Sequence, residues 1–366
     1  MTGLYIHIPF CARKCPYCDF YSVGYSKGLA QSYVDAVLRN LRRFEGKGID
    51  IDTVYFGGGT PSLLYARQVR QILDVVNECF NVHSPEVTME ANPCTVDLYK
   101  LCQMREAGVN RLSLGVQSAD NGELERLGRL HDFARARRAV YDAMTAEYDN
   151  ISCDIMLGTA GQTAQSLRKS VDTLVNMPIT HISAYMLKIE KGTAFDCDEV
   201  RNAVADDEAV SEMYLQTVER LEKAGFAQYE ISNFAKRGFE SRHNLKYWTG
   251  ESYIGIGASA HSFFGGKRYY CPRDVDAFVQ GDVQAEIVDE ENPDGLEEYI
   301  MLGLRLSRGI ETDRLERLGA DCGKILQKAQ MLEKGGLCEV GGGRIRLTPR
   351  GFLLSNSIIA EFISQV

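Results

Sequence analysis

The sequence has no surplus of basic residues, no long apolar run and a single tryptophan. Its 366 residues carry 41 Lys and Arg against 50 Asp and Glu, which gives a net charge of -9. This balance argues against a protein whose main partner is a nucleic acid, because gripping a phosphate backbone needs excess Lys and Arg. No stretch approaches the ~20 consecutive apolar residues that a membrane-spanning helix needs, which leaves only peripheral membrane contact open.

The first residues, MTGLYIHIPFCARKC, show no basic segment followed by an apolar run, so we expect no secretory signal. The chain has 11 cysteines, and an odd number without an export signal is typical of a reducing compartment. We therefore expect a cytoplasmic protein. Hydrophobic residues make up 45% and charged residues 25% of the chain, a balance that excludes disorder, collagen and coiled coil as whole-chain structures.

The first two-thirds of the chain alternate short β-branched runs with helical patterns. Strands are predicted at 4–8, 53–56, 86–90, 111–116, 151–157 and 181–187, and helices at 32–44, 66–80, 96–107, 132–144, 164–177 and 207–224. Six strand–helix units require a parallel sheet with right-handed crossovers. The sequence thus predicts an α/β fold, a partial (β/α)6 barrel, with a doubly wound sheet as the alternative.

The last part of the chain has a different pattern. Helices are predicted at 296–306, 312–318 and 322–334, followed by a hairpin around the glycines at 341–343 and a last helix that ends near 363. This order predicts a small α+β module that is winged-helix-like. We expect three regions: a barrel at 1–225, a connecting segment at 226–290 and the winged-helix-like domain at 291–366.

Three cysteines lie close together directly after the first predicted strand. Cys11, Cys15 and Cys18 form the pattern C-x3-C-x2-C, here CARKCPYC. Zinc would need a fourth Cys or His nearby, and none follows at a suitable spacing. Iron–sulfur clusters usually bind four thiolates, so three would leave one iron open to another ligand. The other eight cysteines lie at no ligand spacing.

Polar or glycine residues mark the ends of four more predicted strands. In α/β barrels, chemistry takes place at the carboxyl ends of the strands. GGGTP at 57–61 follows the second strand, and Glu90, Gln117 and Asp154 mark the next three. Glycines let a ligand approach the backbone and its amide donors closely. Each position alone is explained by loop chemistry, but together they indicate a ligand site beside the cysteines.

The stretch IHIPFCARKCPYCDF resembles the cluster-binding loop of the radical S-adenosylmethionine (SAM) family. In that family a [4Fe-4S] cluster is held by three cysteines, and SAM chelates the open iron. The resemblance implies that Cys11, Cys15 and Cys18 hold such a cluster, and that the fold is the radical SAM barrel. It covers nearly the whole chain, which is most similar to the oxygen-independent coproporphyrinogen III oxidase group of the family.

The resemblance also implies a set of SAM contacts. The glycine motif of the family, which holds the amino group of the SAM methionine moiety, matches 58–60 here, and the remaining positions match by their spacing. The implied contacts are Tyr5, Tyr17, Gly58, Gly59, Thr60, Glu90, Gln117, Arg129 and Asp154. Carboxylates suit ribose hydroxyls or an ammonium group, and arginine suits a carboxylate.

The segment HNLKYW at 243–248 contains the only tryptophan. Histidine can bind heme iron, tyrosine is a rarer ligand, and tryptophan offers a flat apolar face to a porphyrin. A lone histidine in a loop is more often a hydrogen-bonding residue. HNLKYW, however, resembles the H-N-x-x-Y-W motif of heme chaperones in this group, which implies heme contacts at His243, Tyr247 and Trp248.

Two departures separate this chain from the oxidases. They have a fourth cysteine two residues after the third, where this chain has Phe20, and they carry an N-terminal extension that we do not expect here. The resemblance therefore implies a heme chaperone that delivers heme to respiratory heme proteins, as a monomer or a cluster-dependent dimer. The alternatives are oxidative decarboxylation of coproporphyrinogen III and a different radical SAM reaction.

Overall fold

The computed structural model of the chain describes residues 1–291, 293 and 295–365. Within them the helices are α1 Lys27–Arg42, α2 Ala66–Cys79, α3 Leu98–Ala107, α4 Asn121–Arg126, α5 Phe133–Thr145, α6 Ala164–Val175, α7 Asp198–Ala203, α8 Asp207–Lys223, α9 Arg242–Thr249, α10 Val275–Gln280, α11 Gly295–Gly303, α12 Thr312–Arg317, α13 Cys322–Lys334, α14 Pro349–Leu353 and α15 Ser355–Ile363.

The strands are β1 Thr2–Ile8, β2 Phe10–Cys11, β3 Val23–Gly24, β4 Asp50–Gly58, β5 Asn81–Ala91, β6 Arg111–Gln117, β7 Asn150–Leu157, β8 His181–Met186, β9 Ala227–Gln228, β10 Asn233–Ala235, β11 Tyr253–Ile256, β12 His261–Phe264, β13 Lys267–Tyr270, β14 Ile287–Glu291, β15 Ile310–Glu311, β16 Cys338–Gly341 and β17 Arg344–Leu347. All six predicted strands are present; five are longer than predicted, by one to six residues, and β8 is one residue shorter.

The six predicted strands lie side by side in the order β1-β4-β5-β6-β7-β8, and every neighbouring pair is parallel. The spatial order follows the chain without a reversal. A doubly wound sheet reverses direction at a switch point, so this order excludes that alternative. The predicted α/β fold with a partial (β/α)6 barrel is confirmed.

Apolar side chains on alternate strand positions pack against the surrounding helices. On β1, Leu4, Ile6 and Ile8 are fully buried, whereas Tyr5 and His7 point to the other face. Many of the helices begin at side-chain caps, such as Ser26 before α1 and Asp132 before α5. The other face of the sheet therefore carries the polar side chains into the interior of the barrel.

The region expected as a connecting segment, 226–290, contributes strands to both edges of this sheet. At one edge β10 pairs antiparallel with β8, and β9 follows it. At the other edge β11 pairs parallel with β1, with Gly3 opposite Tyr253, and β12, β13 and β14 continue antiparallel. The sheet formed by the described residues thus has twelve strands.

The C-terminal part has the predicted helices and hairpin, but two helices follow the hairpin where one last helix was predicted. Strands β16 and β17 form the hairpin, β15 pairs with β17, and α14 and α15 follow. The predicted α+β winged-helix-like module is confirmed, and its apolar side chains belong to the same buried cluster as those of the barrel; fully or nearly fully buried there are Ile300, Leu315, Ile325, Ile345 and Phe362. It joins the barrel through a bridge between Glu230 and Leu306.

None of the helices in the described part of the chain combines the length and the hydropathy needed to cross a bilayer.

Candidate functional site

The three clustered cysteines lie in the loop after β1, at the carboxyl end of the barrel strands. All three are free and partly exposed. The Cys18 amide donates to the Cys15 carbonyl at 3.1 Å, and the Cys11 thiol lies 3.6 Å from the Thr60 hydroxyl. Burial raises the pKa of Cys18, and the nearby Cys15 and Cys11 thiols raise it further. One loop therefore holds three thiols, and two of them are close enough to raise the pKa of the third.

This donor set fits a cluster rather than a single ion. Among the described residues, no three His, Cys, Asp or Glu side chains converge so as to coordinate one metal ion. An iron–sulfur cluster does not need its thiolates to converge on one ion, since each thiolate binds a different iron. Three free, partly exposed thiols in one loop, with no fourth Cys or His in that loop, fit such a cluster.

The glycine segment after β4 packs tightly against the start of the cysteine loop. The amides of Gly59 and Thr60 donate to the carbonyls of Ile8 and Phe10, at 2.9 and 2.7 Å. A Cβ atom at Gly58 would lie 2.5 Å from the His7 ring, and Gly58 has φ +114°. Only glycine fits this position, because both the left-handed backbone and the contact exclude a side chain. The segment thus fixes the cysteine loop to the sheet.

Glu90, near the end of β5, connects this strand to β4. Its Oε1 accepts a hydrogen bond from the Tyr55 hydroxyl at 2.8 Å, and its Oε2 accepts one from the Gly58 amide at 3.0 Å. The Tyr5 ring stacks against Tyr55, and the Tyr5 hydroxyl lies 3.0 Å from Nδ1 of His7. Burial is the main cause that raises the pKa of Glu90 to about 7. This carboxyl group can therefore hold or release a proton near neutral pH.

Arg129 links the cysteine loop to the end of β6. Its guanidinium donates to the Cys15 sulfur at 3.4 Å, to the Tyr17 hydroxyl at 3.3 Å and to the Gly115 carbonyl at 2.7 Å. Asp154 lies one strand further on, where its Oδ1 accepts from the Ser113 hydroxyl at 3.2 Å. Burial raises the pKa of Asp154. A cation and two carboxyl groups thus surround the same end of the barrel.

Gln117 ends β6 in a strained conformation. It is 9% exposed and has φ +71°, in the left-handed region that residues other than glycine rarely adopt. Such strain persists only where the surroundings enforce it, and it concentrates at functional sites. The strand β6 is also irregular here, because its register with β7 shifts between Leu114 and Gln117.

A cavity of about 660 Å³ opens beside the cysteine loop. Its lining includes Arg13, Lys14 and Arg129 together with Glu125 and Asp132. Residues of the loop that carries the thiols line the cavity, and three of the side chains in its lining carry positive charge. Its size is within the usual range for small-molecule sites, about 300 to 1,000 Å³.

Several residues in the interior of the barrel were not predicted from the sequence to belong to the site. His7 is buried, and burial lowers its pKa to about 4; Tyr55 and Ser113 hold Glu90 and Asp154 in place. Arg111 is 1% exposed and lies at the start of β6. A signal exists for them, since polar residues recur at every second position of the predicted strands, where one face would be polar.

The HNLKYW segment lies at the opposite end of the barrel from the cysteines, on α9. The backbone amides of Arg242 and His243 donate to the Glu86 carboxylate, at 3.3 and 3.2 Å. The Lys246 ammonium donates to the Met1 carbonyl, at the amino end of β1. Helix α9 therefore closes the amino end of the barrel.

The three residues implied in heme contact do not share one face of α9. His243 is fully buried: its Nδ1 lies 2.8 Å from the Thr53 hydroxyl and its Nε2 lies 2.9 Å from the Tyr247 hydroxyl. Burial is the main cause that lowers its pKa to about 3. Trp248 instead borders the C-terminal module, where the Arg305 guanidinium lies 5.7 Å from its ring.

Comparison with known proteins places this site in a family. The chain matches the model of the radical SAM superfamily over residues 5–174 and the HemN C-terminal domain over residues 291–354. It is 34% identical to the heme chaperone HemW of Bacillus subtilis, with all of both chains covered. The chain belongs to the HemW family. The Escherichia coli HemW is 33% identical, covering 99% of this chain and 98% of the relative.

The fold of this HemW family member is also that of a solved structure, coproporphyrinogen III oxidase (HemN) from Escherichia coli, described as a radical SAM enzyme. The two superpose with a TM-score of 0.84 over all of this chain and 90% of the other, at 19% identity. At this identity the match establishes the shared fold only. The predicted membership in the oxidase-like group of the radical SAM superfamily, nearest to HemW, is confirmed.

Proposed function

We propose that this protein is a heme chaperone. It binds a [4Fe-4S] cluster through Cys11, Cys15 and Cys18, binds SAM at the carboxyl ends of the strands, and delivers heme to respiratory heme proteins. One observation carries the proposal: three free thiols lie beside polar strand ends in a chain whose full-length relatives are heme chaperones. The chemistry that a bound cluster supplies is one-electron transfer.

The residues around the thiols suit the two ends of SAM. Gly58, Gly59 and Thr60 border the loop that carries the cysteines, and Glu90 and Asp154 supply carboxyl groups for an ammonium or for ribose hydroxyls. Arg129 and Tyr17 lie on the other side of Cys15, and Arg129 suits a carboxylate. Tyr5 and Gln117 complete the proposed set from β1 and β6.

The proposed heme contacts remain His243, Tyr247 and Trp248, with unequal support. Binding of heme iron by His243 requires its ring to leave Thr53, Tyr247 or both, because both nitrogens are already paired. Trp248 needs no such rearrangement, since its ring is only half-buried at the edge of α9. The structure therefore supports Trp248 as a heme contact more directly than His243.

We further propose that the protein works in the cytoplasm, without nucleic acid as a partner, and is a monomer that dimerises when the cluster is present. The 11 cysteines, all free, suit a reducing compartment, and the net negative charge disfavours the binding of polyanions such as nucleic acids. Sedimentation of the protein with and without cluster tests the oligomeric state: a mass that does not change would contradict the proposed cluster dependence.

Two assays separate the chaperone from the enzyme. In the first, the purified protein is titrated with hemin while the Soret band is followed, for wild type and His243→Ala, with melting temperatures measured in parallel. In the second, the anaerobically reconstituted protein receives coproporphyrinogen III, SAM and a reductant. The proposal predicts saturable hemin binding and no turnover. Vinyl product formed catalytically would overturn it in favour of the decarboxylase.

A further inference from the structure

A small cavity lies between α9 and the C-terminal module, away from the cysteine loop. Its volume is about 120 Å³. Trp248 and Thr249 line it from the end of α9, and Tyr299 and Glu311 line it from the module. We call it the Trp248 pocket. Three arginines complete its wall: Arg308, Arg314 and Arg344.

The Trp248 pocket carries more positive than negative charge. Glu311 is the acidic residue of its lining and pairs with Arg344, so the other two guanidinium groups are left over. Arg314 lies 4.3 Å from the centre of the Tyr299 ring, and within the described residues its side chain forms no ion pair. The Arg308 side chain likewise has no hydrogen bond or ion pair among the described residues. Two guanidinium groups are therefore available to an anion.

The tryptophan at the edge of this pocket is held in place. The Arg305 guanidinium lies 5.7 Å from the centre of its ring and donates to the Asn356 side chain at 3.0 Å. The Arg305 Nε is buried and without a hydrogen-bond partner among the described residues. The half-buried Trp248 ring lines the same pocket as Arg308 and Arg314.

We propose that the Trp248 pocket binds the propionate carboxylates of heme, with the macrocycle lying against Trp248. This inference rests on the proposed function and specifies where the heme carboxylates bind. The cavity is smaller than the ~300 Å³ minimum typical of small-molecule sites, so it takes a carboxylate group and not a tetrapyrrole. Arginine matches carboxylate geometry with paired hydrogen bonds, and aromatic rings stack on porphyrins.

The location of this pocket gives the C-terminal module a role. Trp248 belongs to the helix that closes the barrel, whereas Arg308, Arg314 and Arg344 belong to the module. A heme that contacts both would couple the two parts of the chain. The proposed site does not require His243 to leave its buried position.

The test compares hemin with hemin dimethyl ester, which lacks free carboxylates. Both are titrated by Soret absorbance into the full-length wild type and into an Arg308→Gln/Arg314→Gln double variant. The matched control is Arg317→Gln, an exposed arginine of α12 outside the pocket lining. Because the double variant loses the charge-assisted hydrogen bonds of both guanidinium groups, it should bind hemin at least about tenfold more weakly than wild type.

The ester should bind wild type and the double variant equally, and the Arg317→Gln control should match wild type for both ligands. Equal hemin affinity in the double variant and wild type, at equal melting temperature, would overturn the inference and leave the proposed function intact. So would a wild type that binds hemin and its ester alike. If the wild type binds no hemin at all, the proposed function fails, and this inference fails with it.

Discussion

At the scale of single residues, the cysteines of the loop at 11–18 differ from the polar residues at the strand ends in how their properties arise. The three thiols are partly exposed and lie at a fixed spacing in one loop, whereas Glu90 and Gln117 owe their properties to burial and backbone strain. The cysteines could therefore be identified from their spacing alone. The raised pKa of Glu90 could not be foreseen, because it arises from burial in the fold and from the nearby Asp154 carboxyl group of another strand, against the opposing hydrogen bonds from Tyr55 and Gly58.

We predict that Cys18→Ser loses the iron that the reconstituted wild type binds. Three thiolates are the smallest protein ligand set for a site-open cluster, and removing one leaves two irons without a protein ligand. Cys94→Ser is the matched control, because Cys94 is exposed and lies outside the loop. Iron and sulfide per chain and the visible absorbance measure the result. A Cys18→Ser protein with full iron content would rule out the proposed ligand set.

We predict that Gln117→Gly is more stable than Gln117→Ala by about 1 kcal/mol, because a left-handed backbone costs an L-residue that much and costs glycine little. Both variants lose the same amide group, so the difference isolates the strain at φ +71°. The free energy of unfolding in urea measures it. Both variants should bind SAM more weakly than wild type. Equal stability of the glycine and alanine variants would show that the backbone at this position is not strained.

At the scale of elements, the sequence predicted the parts that depend on local patterns. All six parallel strands and one long helix after each were predicted because their apolar periodicity is local, whereas the six-residue helices α4 and α7 were not predicted. Strand β11 was not predicted, since it is four residues long, contains Gly255 and pairs over its whole length with β1, about 250 positions away. The burial of His243 was missed for the same reason: Thr53 and Glu86 are distant in sequence.

We predict that Lys246→Met destabilises the protein by about 2 kcal/mol, because it leaves Asp52 without its closest partner. The Lys246 ammonium is 2.9 Å from both Asp52 and Glu251, and its side chain is only 4% exposed. This cation holds α9 against the barrel. The control Lys223→Met breaks an exposed pair on α8 and should cost well under 1 kcal/mol.

Urea unfolding of both lysine variants gives the comparison. Equal losses of stability in the two would mean that α9 is held by its apolar contacts and not by Lys246.

At the scale of the whole molecule, the C-terminal module shares the apolar core of the barrel, and a buried acid, Glu230, lies where the backbones of the two parts pair. Glu230 is 1% exposed, forms the bridge to Leu306, and accepts a hydrogen bond from the Ser232 amide at 3.2 Å. Burial is the main cause that raises its pKa to about 7 from 4.5. Because the folded state holds this proton more tightly than the unfolded state, stability falls as pH rises between these values.

We predict that Glu230→Gln is stabilising, and that the gain grows by about 2 kcal/mol between pH 5.5 and pH 8.5. The glutamine keeps the oxygen that accepts from Ser232 and removes the cost of a buried charge. Urea unfolding at both pH values measures the gain, and Glu222→Gln, at an exposed position of α8, is the control. A gain that does not change with pH would mean that Glu230 has an ordinary pKa.

The most direct test of the central claim is heme transfer. The anaerobically reconstituted protein, loaded with one heme and freed of excess, is mixed with a heme-free respiratory heme protein, and the Soret spectrum of the acceptor is followed. We predict that the acceptor gains its native spectrum faster from this protein than from free hemin mixed with an unrelated heme-binding protein. Heme that stays on this protein, or transfer no faster than in that control, would contradict a heme chaperone.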